Sequence, residues 1–154
     1  MDHGISLILN LIDQAFDHKA WHGTNLKGSL RGMTASEAAW RPGAGRHNAW
    51  EVAVHCAYWK YAVWRRLTGV KRGSFPMKGS NWLARPAADV DWKADLALLV
   101  RMHGQLREAI AALKAQDLGV TPKGSKVPNA AMLTGIAAHD LYHAGQIQLL
   151  KRLR

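Results

Sequence analysis

The stretch HDLYHAGQI, residues 139–147, places two histidines four positions apart near the end of the sequence. Hydrophobic residues recur around it at helical spacing, which predicts a helix from about Asn129 almost to the last residue. At 100° per residue, one core-facing stripe of roughly 100° holds both histidines. It also holds Met132, Ile136, Gln146, Ile147 and Leu150. A buried imidazole without a partner costs about 1 to 3 kcal/mol, so two of them on one stripe require an explanation.

The spacing of the two histidines suits a shared metal ion. Side chains at positions i and i+4 of a helix have Cβ atoms about 5 to 6 Å apart, so both rings can reach one ion with bonds of about 2.0 to 2.1 Å. The order H-D-x-x-H is also similar to the zincin helix H-E-x-x-H. However, nothing after His143 offers a further ligand, and Asp140 is expected to point off the histidine stripe. We therefore expect any third ligand to come from upstream.

His55 is the best upstream candidate, because it lies in the hydrophobic segment WEVAVHCAYW, residues 50–59. The alternative is a core histidine whose hydrogen bonds are satisfied locally. His103 lies on the hydrophobic stripe of another predicted helix and is a second candidate. The remaining histidines lie near predicted helix ends or in loops and are interpreted as surface residues: His3, His18, His22 and His47.

The rest of the sequence predicts further helices and no strand. Helical periodicity is found over residues 5–20, 48–67 and 91–115. Residues 34–37, Thr-Ala-Ser-Glu, fit a capping box that opens one short helical turn. Together with the C-terminal helix, the three long segments predict an all-α fold, a four-helix bundle in a single domain over residues 1–154.

The second predicted long helix is hydrophobic on two opposite sides, so both sides should be covered. In a protein of this size the second cover can be another copy of the chain, which predicts a homodimer. The alternative cover is the loop of residues 68–90, which contains Phe75 and Trp82. A loop of this length is often functional and could cross the length of a bundle, so the helices that it joins need not be antiparallel.

The charge balance is strongly basic, with 21 Lys and Arg against 11 Asp and Glu and a formal net charge of +10. These residues form short pairs such as Arg65 and Arg66, with no run of five and no nucleic-acid-binding signature. A basic surface that attracts small anions is therefore favoured over nucleic-acid binding.

The run ISLILNLI, residues 5–12, is too short and too interrupted to span a membrane, so we expect a cytoplasmic protein. The single cysteine, Cys56, excludes an internal disulfide framework and is expected to be buried and unreactive.

Two motifs together resemble a known family. A helix with the pattern W-E-x-x-x-H-x-x-x-W around His55, followed at the end by H-x-x-x-H-x-G-Q-I, is similar to the DinB-like (YfiT-like) superfamily of metal-dependent enzymes. The likeness covers nearly the whole sequence in order. It implies a four-helix bundle, usually dimeric, with a divalent metal, commonly zinc or nickel, on His55, His139 and His143. Gln146 matches the glutamine of the terminal motif. Characterised relatives include thiol-dependent S-transferases, a mycothiol-dependent isomerase and hydrolase-like members.

Three neutral imidazoles leave the charge of a divalent cation uncompensated, so such a site is strongly Lewis acidic. It would suit hydrolysis or the transfer of a thiol held as thiolate, and the sequence does not choose between them. Gln146 either orients a water or substrate carbonyl or hydrogen-bonds a ligand ring. Glu51, one turn before His55, either accepts the second N–H of that histidine or acts as a base.

The expected function is therefore that of a divalent-metal-dependent transferase, similar to thiol S-transferases, or a hydrolase acting on a small molecule. A low-molecular-weight thiol is a candidate cosubstrate, and imidazole ligands suit zinc and nickel as well as copper and iron. The alternative is a non-catalytic metal- or ligand-binding bundle of the stress-response kind. In that case a fourth side chain, such as His103, would close the coordination sphere.

Overall fold

The computed structural model describes residues 2–154, and every regular element in that range is helical. The predicted all-α class is confirmed. The elements in chain order are α1 (His3–Phe16), α2 (Leu26–Leu30), α3 (Ala35–Ala39), α4 (Ala49–Thr68), α5 (Asp89–Ala111), a 3-10 turn (Ala115–Gly119) and α6 (Asn129–Leu153). None of these helices contains a stretch that is both long and apolar enough to cross a membrane.

The first predicted helix was placed four residues too far at its C-terminal end. α1 ends at Phe16, and the next residue, Asp17, binds His18 Nδ1 at 2.9 Å and Lys27 Nζ at 3.3 Å. These contacts hold the carboxylate where the chain turns away. The sequence does not predict the short helix α2, because the stretch around it is rich in glycine. Asn25 starts it by accepting a hydrogen bond from the Gly28 N–H at 2.9 Å.

The four long helices contact one another in a ring, α1 with α5 and α6, and α4 with the same two helices. Trp50 near the start of α4 meets Trp92 near the start of α5, with ring centroids 5.2 Å apart. Its indole N–H donates to Asp95 at 2.7 Å. α4 and α5 therefore run in parallel, and the segment between them, residues 69–88, returns along their length without regular structure.

That segment covers one side of α4. Phe75 is 9% exposed and packs in the core against Tyr58 and Tyr61 of α4, with ring centroids 5.5 and 5.4 Å away. Trp82 packs against the same core cluster further along the segment. The loop thus covers the hydrophobic side of α4 for which a second copy of the chain was the other candidate. The homodimer stays a prediction.

A buried ion pair joins α4 to α6. Lys60 and Asp140 are in hydrogen-bond contact, and their side chains are 0% and 1% exposed. The Lys60 ammonium also lies 4.9 Å from the ring centroid of Phe16 in α1. Removing one partner from such a pair leaves an uncompensated charge and costs about 3 to 5 kcal/mol. The pair fixes the two helices beside each other next to His139.

Candidate metal centre

Three imidazoles converge between α4 and α6. His55 comes from α4, and His139 and His143 are one turn apart on α6. The Nε2 atom of His139 lies 3.1 Å from Nε2 of His55 and 3.2 Å from Nε2 of His143. Bonds of about 2.0 to 2.1 Å in a tetrahedral zinc site place ligand nitrogens about 3.3 to 3.4 Å apart. Both distances from His139 are close to that spacing, and the ligand atoms of all three histidines lie within 4.8 Å of one another, as one shared ion requires.

Hydrogen bonds at the opposite ring nitrogens select which atoms face the cluster. His55 donates from Nδ1 to the backbone carbonyl of Asn81 at 2.9 Å. His143 donates from Nδ1 to the side-chain carbonyl of Gln146 at 2.6 Å. A neutral imidazole carries one N–H, so both Nε2 atoms present lone pairs to His139. A single N–H on His139 can satisfy only one of them, and a cation would satisfy all three nitrogens.

Burial keeps these rings neutral. It lowers the pKa of His55 to about 4 and that of His139 to about 3, and it lowers the pKa of His143 below its usual value. The neighbouring imidazoles disfavour protonation of His55 and His139 further. Neutral imidazoles at physiological pH are the form that binds metal, so protons do not compete strongly for the ligand atoms.

Two residues of the long loop hold the cluster from one side. The Trp82 ring stacks on His55 with centroids 3.9 Å apart, and its other face stacks on His47 at 3.6 Å. Asn81 has a φ of 65°, a left-handed conformation that is uncommon outside glycine. Its backbone carbonyl accepts from His55 and its side-chain oxygen accepts from Trp59 Nε1 at 2.8 Å.

Glu51 lies near the cluster without touching it. Its carboxylate accepts hydrogen bonds from Arg41 and from His47 Nδ1, the latter at 2.9 Å, and it makes none to His55. His55 donates instead to the backbone carbonyl of Asn81. Burial acts to raise the pKa of Glu51, but the hydrogen bonds from Arg41 and His47 hold it below its usual value. Glu51 is thus a carboxylate that positions His47 behind Trp82.

His103 does not join the cluster. It stacks on Phe16 with ring centroids 3.8 Å apart, and its nearest carboxylate is Asp13, 3.9 Å from Nε2. The 3.1 and 3.2 Å contacts among the cluster nitrogens involve only residues 55, 139 and 143.

A second group of ligand types suits a metal less well. Cys56, His139 and Asp140 offer atoms within 4.8 Å of one another. However, Asp140 is already paired with Lys60, whose charge repels a cation. Burial also raises the pKa of the Cys56 thiol, so the cysteine stays in its neutral form, as expected for a buried thiol. Among the described residues, the three-histidine cluster is therefore the better candidate metal centre.

Sequence reasoning missed Asn81 and the double stacking of Trp82. Both lie in a loop without a periodic pattern of hydrophobic residues, and their partners are 22 to 35 residues away in sequence. A tryptophan and an asparagine between glycines and prolines were the only signals available.

The all-helical fold and the buried three-imidazole cluster define a helical protein with a candidate site for a divalent metal. The family model of the DinB superfamily matches residues 20–147, and the chain belongs to this superfamily. The matched range includes all three histidines of the cluster. Comparisons with curated proteins and with solved structures gave no significant match. Membership of this superfamily and the histidine cluster are compatible with a metal-dependent enzyme.

Proposed function

We propose that this protein is a divalent-metal-dependent enzyme, a thiol S-transferase-like transferase or a hydrolase, that acts on a small molecule. Its metal ligands are His55, His139 and His143, and zinc and nickel are the metals that we expect. The observation that carries the proposal is the convergence of three Nε2 atoms at 3.1 and 3.2 Å, two of which must present lone pairs.

A divalent cation on three neutral imidazoles supplies Lewis acidity and positions open to a water, a thiol or a substrate oxygen. The residues of the chain prepare the site for this chemistry. Asn81 and Gln146 fix the orientation of two ligand rings, and Trp82 shields one face of His55 from water. His103 is held against Phe16, so it is not the fourth side chain that would close the coordination sphere in the non-catalytic alternative.

Gln146 and Glu51 have different roles in this proposal. The Gln146 side-chain carbonyl is taken by His143, which leaves its amide N–H groups free to donate to a substrate carbonyl or a water. Glu51 is bound by Arg41 and His47, so we assign it to positioning rather than to proton transfer. Gln146 is therefore the residue that would touch substrate.

The same proposal includes a four-helix bundle that works as a homodimer in the cytoplasm. Exposed hydrophobic side chains support the dimer, since Leu7 is 63% exposed on α1 and Leu149 and Leu153 are each 57% exposed on α6. Light scattering on the purified protein distinguishes a dimer of about 34 kDa, twice the 17.0 kDa chain, from a monomer.

Elemental analysis tests the proposed metal site. Protein purified from cells supplied with zinc and nickel should contain about one metal ion per chain, as a single three-histidine site implies. The variant His139→Ala should lose it, whereas His22→Ala, which removes an exposed histidine from a loop, should retain it. Negligible metal in the unaltered protein would contradict the proposal. Screening low-molecular-weight thiols with electrophilic substrates, and activated esters with water, then separates transferase from hydrolase activity.

A further inference from the structure

A narrow groove between α4 and α6 leads to the histidine cluster. Its volume is about 180 Å³, and its lining residues are Trp59, Val63, Arg66, Met132, Gly135, Ile136 and His139. Trp59 lies beside His139, with ring centroids 6.4 Å apart. Arg66 follows Trp59 by seven residues and Met132 precedes His139 by seven, which is about 10 Å of helix in each case. In this antiparallel pair of helices, Arg66 therefore lies at the end of the groove opposite His139.

The groove reaches the cluster at His139. His55 and His143 are 5% and 4% exposed, and neither of them lines the groove. His139 is more exposed than either of them and forms part of the groove wall. Trp82 covers His55 on the opposite side. A small molecule that enters this groove therefore passes along Val63 and Ile136 to reach His139.

Among residues 2–154, Arg66 is the only charged group that lines the groove. It is half-buried, and it forms no ion pair with any carboxylate of residues 2–154. The closest buried carboxylate on α6, that of Asp140, is occupied by Lys60. A guanidinium offers a planar fork of donors that matches a carboxylate, and it binds more strongly where apolar walls exclude water.

We propose that this groove binds an amphipathic organic anion, a small carboxylate whose charged end binds Arg66. Its short aliphatic chain or single ring lies against Val63 and Ile136, and its other end brings the reacting group to His139. The remaining walls are hydrophobic and Gly135 adds no side chain, which favours an apolar middle portion. This inference rests on the proposed function, because it names the substrate class of the same site.

Hexanoate and its neutral amide, hexanamide, are matched probes for this site. Methyl NMR spectra of Met132 and Ile136, which are 7% and 5% exposed, report on occupancy of the groove in both metal-free and zinc-loaded protein. We expect hexanoate to shift these signals and to bind at least about tenfold more tightly than hexanamide, as a charge-assisted hydrogen bond implies. Equal affinities, or the absence of shifts at both methyl groups, would overturn the proposal.

Variants of two adjacent arginines separate a specific contact from the general positive charge. Arg66→Gln should remove the preference for hexanoate, while Arg65→Gln, with the same change of charge outside the groove lining, should keep it. Arg66→Lys keeps the positive charge without the planar guanidinium and should keep part of the preference for hexanoate. This variant replaces Arg66→Gln in the test if Arg66→Gln is poorly folded. Gly135→Leu, which fills the groove, should abolish binding of both probes. A preference that survives in Arg66→Gln would contradict the proposal.

Metal content, measured on the same samples, distinguishes the proposed carboxylate groove from the proposed metal site. Arg66→Gln should bind as much zinc as the unaltered protein, because Arg66 does not touch the histidines. If zinc binds and the carboxylate preference is absent, the groove proposal is wrong and the metal site stands. If the preference is present and no metal binds, the groove stands and the proposed function is wrong.

Discussion

Asn81 accepts the Nδ1 proton of His55 on its backbone carbonyl, across 2.9 Å and 26 positions of sequence. The same residue, in a left-handed conformation with φ of 65°, also accepts the indole N–H of Trp59. One loop residue therefore fixes both the tautomer of a candidate ligand and the aromatic ring beside it. A strained backbone that makes such contacts is typical of a site that the surrounding fold holds in place.

Substitution of Asn81 tests this arrangement. Asn81→Ala removes the side-chain oxygen that accepts from Trp59, and alanine adopts the left-handed conformation less readily than asparagine, so we expect the variant to lower the free energy of unfolding by about 1 to 3 kcal/mol. Asn81→Gly loses the same bond but tolerates the conformation, so it should cost less. Urea unfolding of the metal-free variants measures both. Equal losses would show that the backbone conformation contributes nothing.

Replacing Gln146 should weaken metal binding. Gln146→Ala leaves His143 Nδ1 without its acceptor, and loss of such a partner typically lowers metal affinity about 10- to 100-fold. Competition with a zinc chelator measures the affinity. Gln148→Ala, two residues further along α6 and outside the cluster, is the matched control and should bind zinc normally. An unchanged affinity in Gln146→Ala would argue against an orienting role.

The ion pair of Lys60 and Asp140 predicts a non-additive pair of substitutions. Lys60→Met leaves a buried, unpaired carboxylate and should destabilise the protein by about 3 to 5 kcal/mol. Combining it with Asp140→Leu removes that charge, so the double variant should be more stable than Lys60→Met alone. Chemical denaturation of the three proteins measures this. A double variant at least as unstable as the single one would indicate that the pair stabilises α4 against α6 beyond charge compensation.

Stability should fall as the pH is lowered from 6.5, and His103 should account for part of the loss. Burial lowers the pKa of His103 to about 3, while the unfolded state titrates near 6.5. Between these values the unfolded chain binds a proton that the folded chain does not, so the folded state is progressively disfavoured. Above pH 6.5 the ring is neutral in both the folded and the unfolded state, so His103 causes no loss of stability there.

His103→Gln tests this assignment in the metal-free protein. The variant lacks the titrating ring, so its stability should decline less steeply between pH 6.5 and 4 than that of the unaltered protein. The difference should be up to about 1.4 kcal/mol per pH unit. Parallel pH profiles for the two proteins would contradict the prediction.

Local patterns predict the four long helices and the pairing of His139 with His143, because helical periodicity and i, i+4 spacing are properties of short segments. His55 joins them through its hydrophobic setting and the family resemblance. His139 and His143 share a stripe whatever the rest of the chain does. Local patterns do not predict the other long-range pairings. Asp140 was expected off the histidine stripe, but its partner Lys60, 80 positions away, depends on how α4 lies against α6. Proximity in sequence suggests that Glu51 either accepts from His55 or acts as a base, whereas Arg41 and His47 bind it from the preceding loop.

Anomalous X-ray scattering at the zinc edge, from crystals of zinc-loaded protein, shows directly whether the three histidines bind one metal ion. We expect one strong peak about 2.0 to 2.1 Å from the Nε2 atoms of His55, His139 and His143. No peak between these rings, or a zinc ion bound by other side chains, would contradict it.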